Sequence, residues 1–216
     1  MTIYQINSAA RILLAMTLMA LLLTSCGSSA PHPARASSDV AREYELRGAQ
    51  PADPAVSEFS IYDLPSRWQD QQGLTLSLGD LSGRPRVLAL VYTSCAHACP
   101  RILKDMKRIE GELRAAGIDA GYVMVSIDPA RDTPQRLAAY AASTLLDPND
   151  WTLLTGTEDG VLELAALLDV RYRRVSGTDF EHSNVITLLD PAGRIVHRQR
   201  GLGAEPVQLV RAAAAM

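Results

Sequence analysis

Residues 87–100 read VLALVYTSCAHACP, and this stretch decides the fold. Its first half is a continuous apolar run, which is typical of a strand buried on both faces. Two cysteines four positions apart follow, then Pro100 and a helical pattern, and proline is well tolerated in the first turn of a helix. Residues four apart in a helical turn share a face, so both sulfurs can meet at the helix N-terminus, where the helix dipole favours thiolates.

A thiolate pair at a helix N-terminus has two chemical uses. It can exchange a disulfide with another molecule, or it can bind a soft metal ion. The remaining alternative is a structural disulfide between Cys95 and Cys99. A bridge that closes so short a loop restricts the unfolded chain little, which makes it a poor means of stabilisation.

Strand and helix patterns alternate on both sides of this stretch. Short strands are predicted at 61–64 and 74–78, with a turn between them, as an N-terminal β-hairpin extension. Buried strands are predicted over 86–92, 122–127 and 151–154, and the segment 170–175 fits an irregular strand or the edge of a loop. The Asp190–Gly193 turn predicts a hairpin, and four helical patterns start near Pro100, Pro134, Glu158 and Pro206. This order predicts an α/β fold with a central mixed sheet and helices on both faces; the cysteine pair after a buried strand narrows it to a thioredoxin-like fold.

The N-terminal residues fit an export signal. Arg11 precedes a twelve-residue apolar core over 12–23, which is short for a membrane span, and the core ends at Ser25 and Cys26. This pattern resembles a bacterial lipoprotein signal, which implies cleavage after residue 25 and a lipid on Cys26. The alternative is an uncleaved anchor helix. Both interpretations place the rest of the chain in an extracytoplasmic, periplasmic-type compartment, anchored at a membrane.

The organisation that follows is a signal peptide over 1–25, a flexible tether over 26–57 and a folded domain over 58–216. The tether is rich in Ser, Ala and Pro without apolar periodicity, so His32 within it is interpreted as a solvated side chain. With Cys26 lipidated, Cys95 and Cys99 remain as a pair in an oxidising compartment. The net charge of −3 gives no basic footprint, which argues against a nucleic-acid partner.

Three motifs resemble the Sco/SenC family of copper-binding cytochrome c oxidase assembly proteins. They are YTSCAHACP at 92–100, VSIDPARDTP at 125–134, and EHS at 181–183 followed by VITLLDPAG at 185–193. The resemblance extends over roughly residues 58–213. Two positions depart from the usual family pattern: Ala96 replaces a proline after the first cysteine, and Glu181 replaces an aspartate before the histidine. Neither departure removes a cysteine or the histidine of these motifs.

The resemblance implies a thioredoxin-like domain that binds one copper ion through Cys95, Cys99 and His182. It also implies a role in delivering copper to the dinuclear centre of cytochrome c oxidase, or in keeping the cysteines of that centre reduced. Thiolates suit Cu(I), and an added imidazole also accommodates Cu(II). His182 precedes a predicted strand, so we expect it on a loop that a thioredoxin-like sheet brings beside the cysteine-bearing strand.

The residues alone leave several roles open. His182 fits either a ligand or a hydrogen-bonded loop histidine, and the family resemblance favours the ligand. His97 fits a fourth ligand, a base that lowers a thiol pKa, or a solvated side chain, and the last is favoured because the loop is short. His197 is interpreted as a surface residue of a hairpin strand. Structural roles are favoured for Asp128, Arg131 and Asp132, with Asp132 or Thr133 capping a helix and Arg131 pairing with an acid.

Two functions therefore compete, beside a non-catalytic scaffold whose cellular function would survive replacement of both cysteines. The first is a copper metallochaperone, not an enzyme, whose partners are the membrane and a copper-receiving oxidase subunit or other copper protein. The second is a thiol–disulfide reductase in which Cys95 is the nucleophile and Cys99 the resolving thiol. They differ in the role of His182, which only the chaperone needs. The spacing of three residues between the cysteines mildly favours metal binding.

Overall fold

The computed structural model describes residues 59–216 apart from Ser176 and Thr178. The predicted signal peptide, Cys26, and the tether with His32 lie outside the described residues. No helix in the part of the chain that the structure describes combines the length and apolarity needed to cross a bilayer.

The described residues form two sheets and four α-helices. The strands are β1 (Arg67–Asp70), β2 (Thr75–Ser77), β3 (Arg86–Val91), β4 (Gly121–Ser126), β5 (Trp151–Thr155), β6 (Tyr172–Arg174), β7 (Phe180–His182), β8 (Val185–Leu189) and β9 (Ile195–Arg200). The helices are α1 (Ala98–Ala115), α2 (Pro134–Ser143), α3 (Glu158–Leu167) and α4 (Val207–Ala214), with 3-10 helices at Ile61–Asp63 and Leu78–Leu81.

The larger sheet has the strand order β2-β1-β5-β4-β3-β8-β9. Strands β3, β4 and β5 run parallel, and β8 lies antiparallel to β3. Its place beside the cysteine-bearing strand is the predicted one. Every residue of β4 and β8, and all of β3 after Arg86, is buried. Because consecutive side chains of a strand point to opposite faces, both faces of the sheet centre are covered. The predicted α/β class with a central mixed sheet is confirmed.

Helix α1 carries the second cysteine and packs against β3. Its buried apolar residues recur at helical spacing, which accounts for the seam with the sheet: Ile102, Leu103, Met106, Ile109 and Leu113. The helix ends where Gly117 adopts a φ of +73°, a conformation that glycine enters without steric cost. It begins at Ala98, two residues before Pro100, so the proline lies within the first turn.

The N-terminal β-hairpin exists, but its first arm is not the predicted one. Residues 61–64 were expected as a strand; instead Ile61–Asp63 forms a 3-10 helix because the Ser60 hydroxyl accepts the N–H of Tyr62 at 3.0 Å. The first arm is β1, in which Trp68 is buried, and the second is the shorter β2. The local side-chain cap outweighs the apolar alternation of this segment.

The smaller sheet is a ribbon of β6 and β7, and it corrects the prediction for His182. The histidine is the last residue of β7, not a residue of a loop. Its register partner is Tyr172, in the segment 170–175 that was expected to be an irregular strand or a loop edge. Each ribbon strand has three residues, which is too short for a recognisable period of two.

Candidate metal centre

The two cysteines lie where β3 passes into α1. Cys95 is partly exposed in the connecting loop, and Cys99 is buried in the first turn of the helix. The N–H of Cys99 donates to the Cys95 sulfur at 3.4 Å, and the N–H of Tyr92 donates to the Cys99 sulfur at 3.4 Å. Both cysteines are free thiols, not a disulfide. The Cys95 sulfur therefore accepts an N–H of the first helical turn, as a capping group does, although Cys95 lies in the loop before the helix and not, as predicted, in a helical turn with Cys99.

The environments of the two thiols differ. Burial raises the pKa of the Cys95 thiol, but hydrogen bonds from the backbone N–H groups of Cys99 and His97 outweigh this, and its pKa lies below that of an ordinary cysteine. Burial raises the pKa of Cys99 well above the ordinary value. The exposed member of the pair is thus the better nucleophile near neutral pH.

The β6–β7 ribbon brings His182 to the cysteine pair. Its Nε2 atom lies 3.9 Å from the Cys99 sulfur, and its Nδ1 atom lies 3.2 Å from the carbonyl oxygen of Ser183. A carbonyl oxygen only accepts hydrogen bonds, so Nδ1 carries the proton and Nε2 presents its lone pair toward Cys99. Burial lowers the pKa of His182, which favours this neutral form. This is the tautomer and orientation that a metal-binding histidine needs.

The acidic motif that follows β4 fixes the backbone next to the cysteine loop through Asp132. Asp132, fully buried, accepts hydrogen bonds from the Thr93 N–H at 3.0 Å and the Ser126 hydroxyl at 2.6 Å, and a further one from the Thr93 hydroxyl. It thereby fixes the backbone two residues before Cys95. The helix cap is Thr133, whose hydroxyl accepts the N–H of Arg136 at 3.4 Å. Of the two caps that the sequence left open, Thr133 is the one observed.

Asp128 connects this motif to the ribbon. Its carboxylate is fully buried and pairs with Arg131, as expected, and with Arg174 of β6 at 3.6 Å. The guanidinium of Arg174 also lies 4.5 Å from the ring centroid of Phe180. The sequence alone gives no signal for Arg174, because the ion pair joins residues far apart in the chain.

The other residues that the sequence analysis singles out take no part in the contact between Cys99 and His182. His97 is exposed and its side chain makes no capping hydrogen bond, in agreement with the solvated interpretation. His197 is half-buried in β9, more covered than the predicted surface position. Glu181 is exposed and pairs with Arg173 at 2.5 Å. Within the described residues, no three His, Cys, Asp or Glu side chains are already close enough together to hold a metal ion.

Comparisons with known proteins agree with this architecture. Residues 57–214 match the SCO1/SenC family. The SCO1 protein homolog of Bacillus subtilis is 28% identical over 162 residues, which cover 74% of this chain and 82% of that protein.

Solved structures of Sco proteins share the fold. The structure of Bradyrhizobium japonicum ScoI with copper bound has a TM-score of 0.54 at 26% identity and covers 70% of this chain and 95% of that one. BsSco, a member of the Sco family of cytochrome c oxidase assembly proteins in which a disulfide switch was identified, has a TM-score of 0.62 at 25% identity. That match covers 74% of this chain and 97% of BsSco. The thioredoxin-like fold is confirmed, and the chain belongs to the SCO1/SenC family.

Proposed function

We propose that this protein is a copper metallochaperone that holds one copper ion through Cys95, Cys99 and His182. The observation that carries the proposal is the 3.9 Å contact between the unprotonated Nε2 atom of His182 and the Cys99 sulfur. In Cys/His metal centres, ligand atoms bound at 2.0–2.3 Å around a tetrahedral ion lie about 3.5 Å apart. The Cys99 sulfur and the Nε2 atom of His182 are therefore already close to the separation that two ligands of one ion have.

The donor set supports copper as the cargo. Two thiolates suit Cu(I), and one imidazole extends the site to Cu(II). The copper-bound structure of the related ScoI supports the same metal. The partly exposed Cys95 gives a receiving protein access to the bound ion, so that transfer proceeds by stepwise replacement of ligands.

We further propose that the client is a copper centre of cytochrome c oxidase or of a related extracytoplasmic copper enzyme. The description of BsSco as a member of a family of oxidase assembly proteins supports this client. A lipid on Cys26, followed by a tether over 26–57, accounts for a chaperone that works beside a membrane-bound oxidase.

The test is copper titration of residues 27–216 in the reduced form. We expect one copper per chain and, with Cu(II), a thiolate-to-metal charge-transfer band. The His182→Ala variant is expected to bind copper more weakly with an altered spectrum, whereas His197→Ala, a change at a half-buried histidine of β9, serves as the matched control. Unchanged copper binding in His182→Ala would refute the three-ligand centre.

A thiol–disulfide reductase is the second candidate, and the difference between the two thiols favours it. In this reaction the Cys95 thiolate attacks a client disulfide and releases one client thiolate. The Cys99 thiol passes its proton to the client thiolate already released and attacks the mixed disulfide, releasing the second client thiolate and leaving a Cys95–Cys99 disulfide. The disulfide switch in BsSco supports this alternative.

Two measurements distinguish the two functions. Copper affinity and the rate of reduction of glutathione disulfide are measured in the His182→Ala and Cys99→Ser variants. A chaperone loses copper affinity with His182→Ala while disulfide exchange continues. If His182→Ala keeps its copper affinity, the chaperone proposal fails. Loss of glutathione disulfide reduction in Cys99→Ser, with reduction retained in His182→Ala, then supports the reductase proposal in its place.

A further inference from the structure

Tyr92 touches every part of the cysteine–histidine site. It directly follows β3, where its N–H donates to the Cys99 sulfur at 3.4 Å and its carbonyl accepts the N–H of Cys95 at 3.3 Å. Its side chain extends in the other direction to the ribbon. The ring centroid lies 5.2 Å from that of Phe180 and 6.1 Å from that of His182, edge-on in both cases.

The hydroxyl of Tyr92 makes an unusual pair of contacts with the ribbon backbone. It accepts the N–H of Phe180 at 3.3 Å and donates to the carbonyl of the same residue at 3.4 Å. The neighbouring pair Val175–Asp179 forms a ladder hydrogen bond of 2.9 Å, and pairs that do so alternate along an antiparallel ribbon with pairs that do not. The N–H and carbonyl of Phe180 therefore point away from β6, and the Tyr92 hydroxyl takes the place of a missing neighbouring strand.

The contact between the Tyr92 hydroxyl and the Phe180 backbone lies close to His182. Side chains two residues apart in a strand lie on the same face, so the Phe180 and His182 rings leave β7 in the same direction, toward the ring of Tyr92. A two-stranded ribbon of three-residue strands has little stability of its own. Its position on the domain thus depends on the contacts that attach it, and the Tyr92 hydroxyl is the attachment two residues from the histidine.

We infer that Tyr92 is a positioning residue whose hydroxyl seats the β6–β7 ribbon so that the imidazole of His182 lies against Cys99. The role of His182 as a ligand rests on the proposed function, but the seating of the ribbon does not. Tyr92 itself donates no ligand to the ion. It determines how well the third ligand is held in place before the ion arrives.

The first test needs no metal. Amide hydrogen exchange of the full chain, purified in detergent without copper, is compared between the native protein and Tyr92→Phe, which removes only the hydroxyl. Loss of the two hydrogen bonds is expected to accelerate exchange at Phe180 about tenfold, while β3 and β4 are unaffected. Tyr122→Phe is the matched control, because Tyr122 is buried and stacks on Trp151 at the far end of β4.

The second test measures how loss of the Tyr92 hydroxyl changes copper binding. Tyr92→Phe is expected to bind one copper per chain with about tenfold lower affinity, and its Cu(II) spectrum is expected to shift toward that of His182→Ala. In a chain that already carries His182→Ala, adding Tyr92→Phe is expected to lower copper affinity no further, because both changes act through one imidazole.

The two proposals fail in different ways. Native exchange at Phe180 in Tyr92→Phe would overturn the seating role, whatever the copper measurements show. Faster exchange with an unchanged copper spectrum would show that the hydroxyl seats the ribbon but not the ligand, and this also overturns the inference. If His182→Ala leaves copper binding intact, the three-ligand centre fails, and the exchange measurement alone then decides whether Tyr92 seats the ribbon.

Discussion

Cys95 and Cys99 are only four residues apart, yet their surroundings give them opposite properties. Hydrogen bonds at the helix N-terminus outweigh burial at Cys95 and lower its pKa, whereas burial dominates at Cys99 and raises its pKa. The sequence predicts the helix N-terminus and therefore the favoured thiolate. The reductase hypothesis also expects Cys95 to be the exposed member of the pair, and it is. The extent to which Cys99 is buried depends on the packing of α1 against the sheet.

Alkylation by iodoacetamide tests this difference. Only the thiolate reacts, so the reaction rate rises with pH and levels off above the thiol pKa. Cys95 is expected to reach its plateau at a lower pH than an ordinary cysteine, and Cys99 at a higher pH. Near pH 7 the native, metal-free protein should be modified at Cys95 at least about tenfold faster than at Cys99. Peptide mass spectrometry measures both rates, and equal rates before unfolding in guanidinium would contradict the assignment.

Asp132 is the second residue whose role the structure makes clear. Its buried carboxylate accepts two hydrogen bonds from Thr93 and one from Ser126, which a neutral amide cannot reproduce. Asp132→Asn is expected to lower the free energy of unfolding by about 1–3 kcal/mol. Urea denaturation measures the change. The control is Asp63→Asn at an exposed position, where an effect within about 0.5 kcal/mol is expected, and equal effects of the two variants would contradict the role of Asp132.

Among the secondary-structure elements, those with strong sequence patterns were predicted and those fixed by distant partners were not. The long apolar runs of β3 and β4, the turn before β9 and the Thr133 cap of α2 each follow from local chemistry. The β6–β7 ribbon does not, because its three-residue strands have no clear period and are fixed by Tyr92, Asp128 and the Ser183–Arg171 hydrogen bonds. The histidine predicted on a loop therefore lies in the element that the sequence indicates least.

Arg174 provides an element-scale prediction for this ribbon. Its guanidinium pairs with the buried carboxylate of Asp128 and lies over the ring of Phe180. Arg174→Gln is expected to accelerate amide exchange across β6 and β7 about tenfold without affecting β3 or β4, since it removes the partner of a buried carboxylate and a cation–π contact. Arg173→Gln is the matched control, because Arg173 pairs with Glu181 where both side chains are exposed and such pairs contribute little. Equal effects of the two variants would show that the Asp128 contact does not hold the ribbon.

For the whole molecule, the three proposed ligands come from elements that are separate in the chain. Cys95 lies in the connection between β3 and α1, Cys99 lies in the first turn of α1, and the histidine lies in the separate β6–β7 ribbon. The family resemblance predicts this set from three motifs, and in the structure the Nε2 atom of His182 lies 3.9 Å from the Cys99 sulfur. The distance between these atoms could not be predicted from the sequence, because it depends on how Tyr92 and Asp128 hold the ribbon.

A metal that joins separate elements should also stabilise the fold, because a ligand that binds only the native state shifts the unfolding equilibrium toward it. At a free copper concentration about 100 times the Kd, the expected stabilisation is about 2.7 kcal/mol. For a domain of this size that corresponds to a rise in Tm of roughly 5–10 °C. Differential scanning calorimetry of the reduced protein with a buffered Cu(I) complex measures the shift. The rise should be smaller in His182→Ala and absent when both cysteines are replaced by serine, while His197→Ala should retain it in full. A rise that survives replacement of both cysteines would place the stabilising copper elsewhere in the protein.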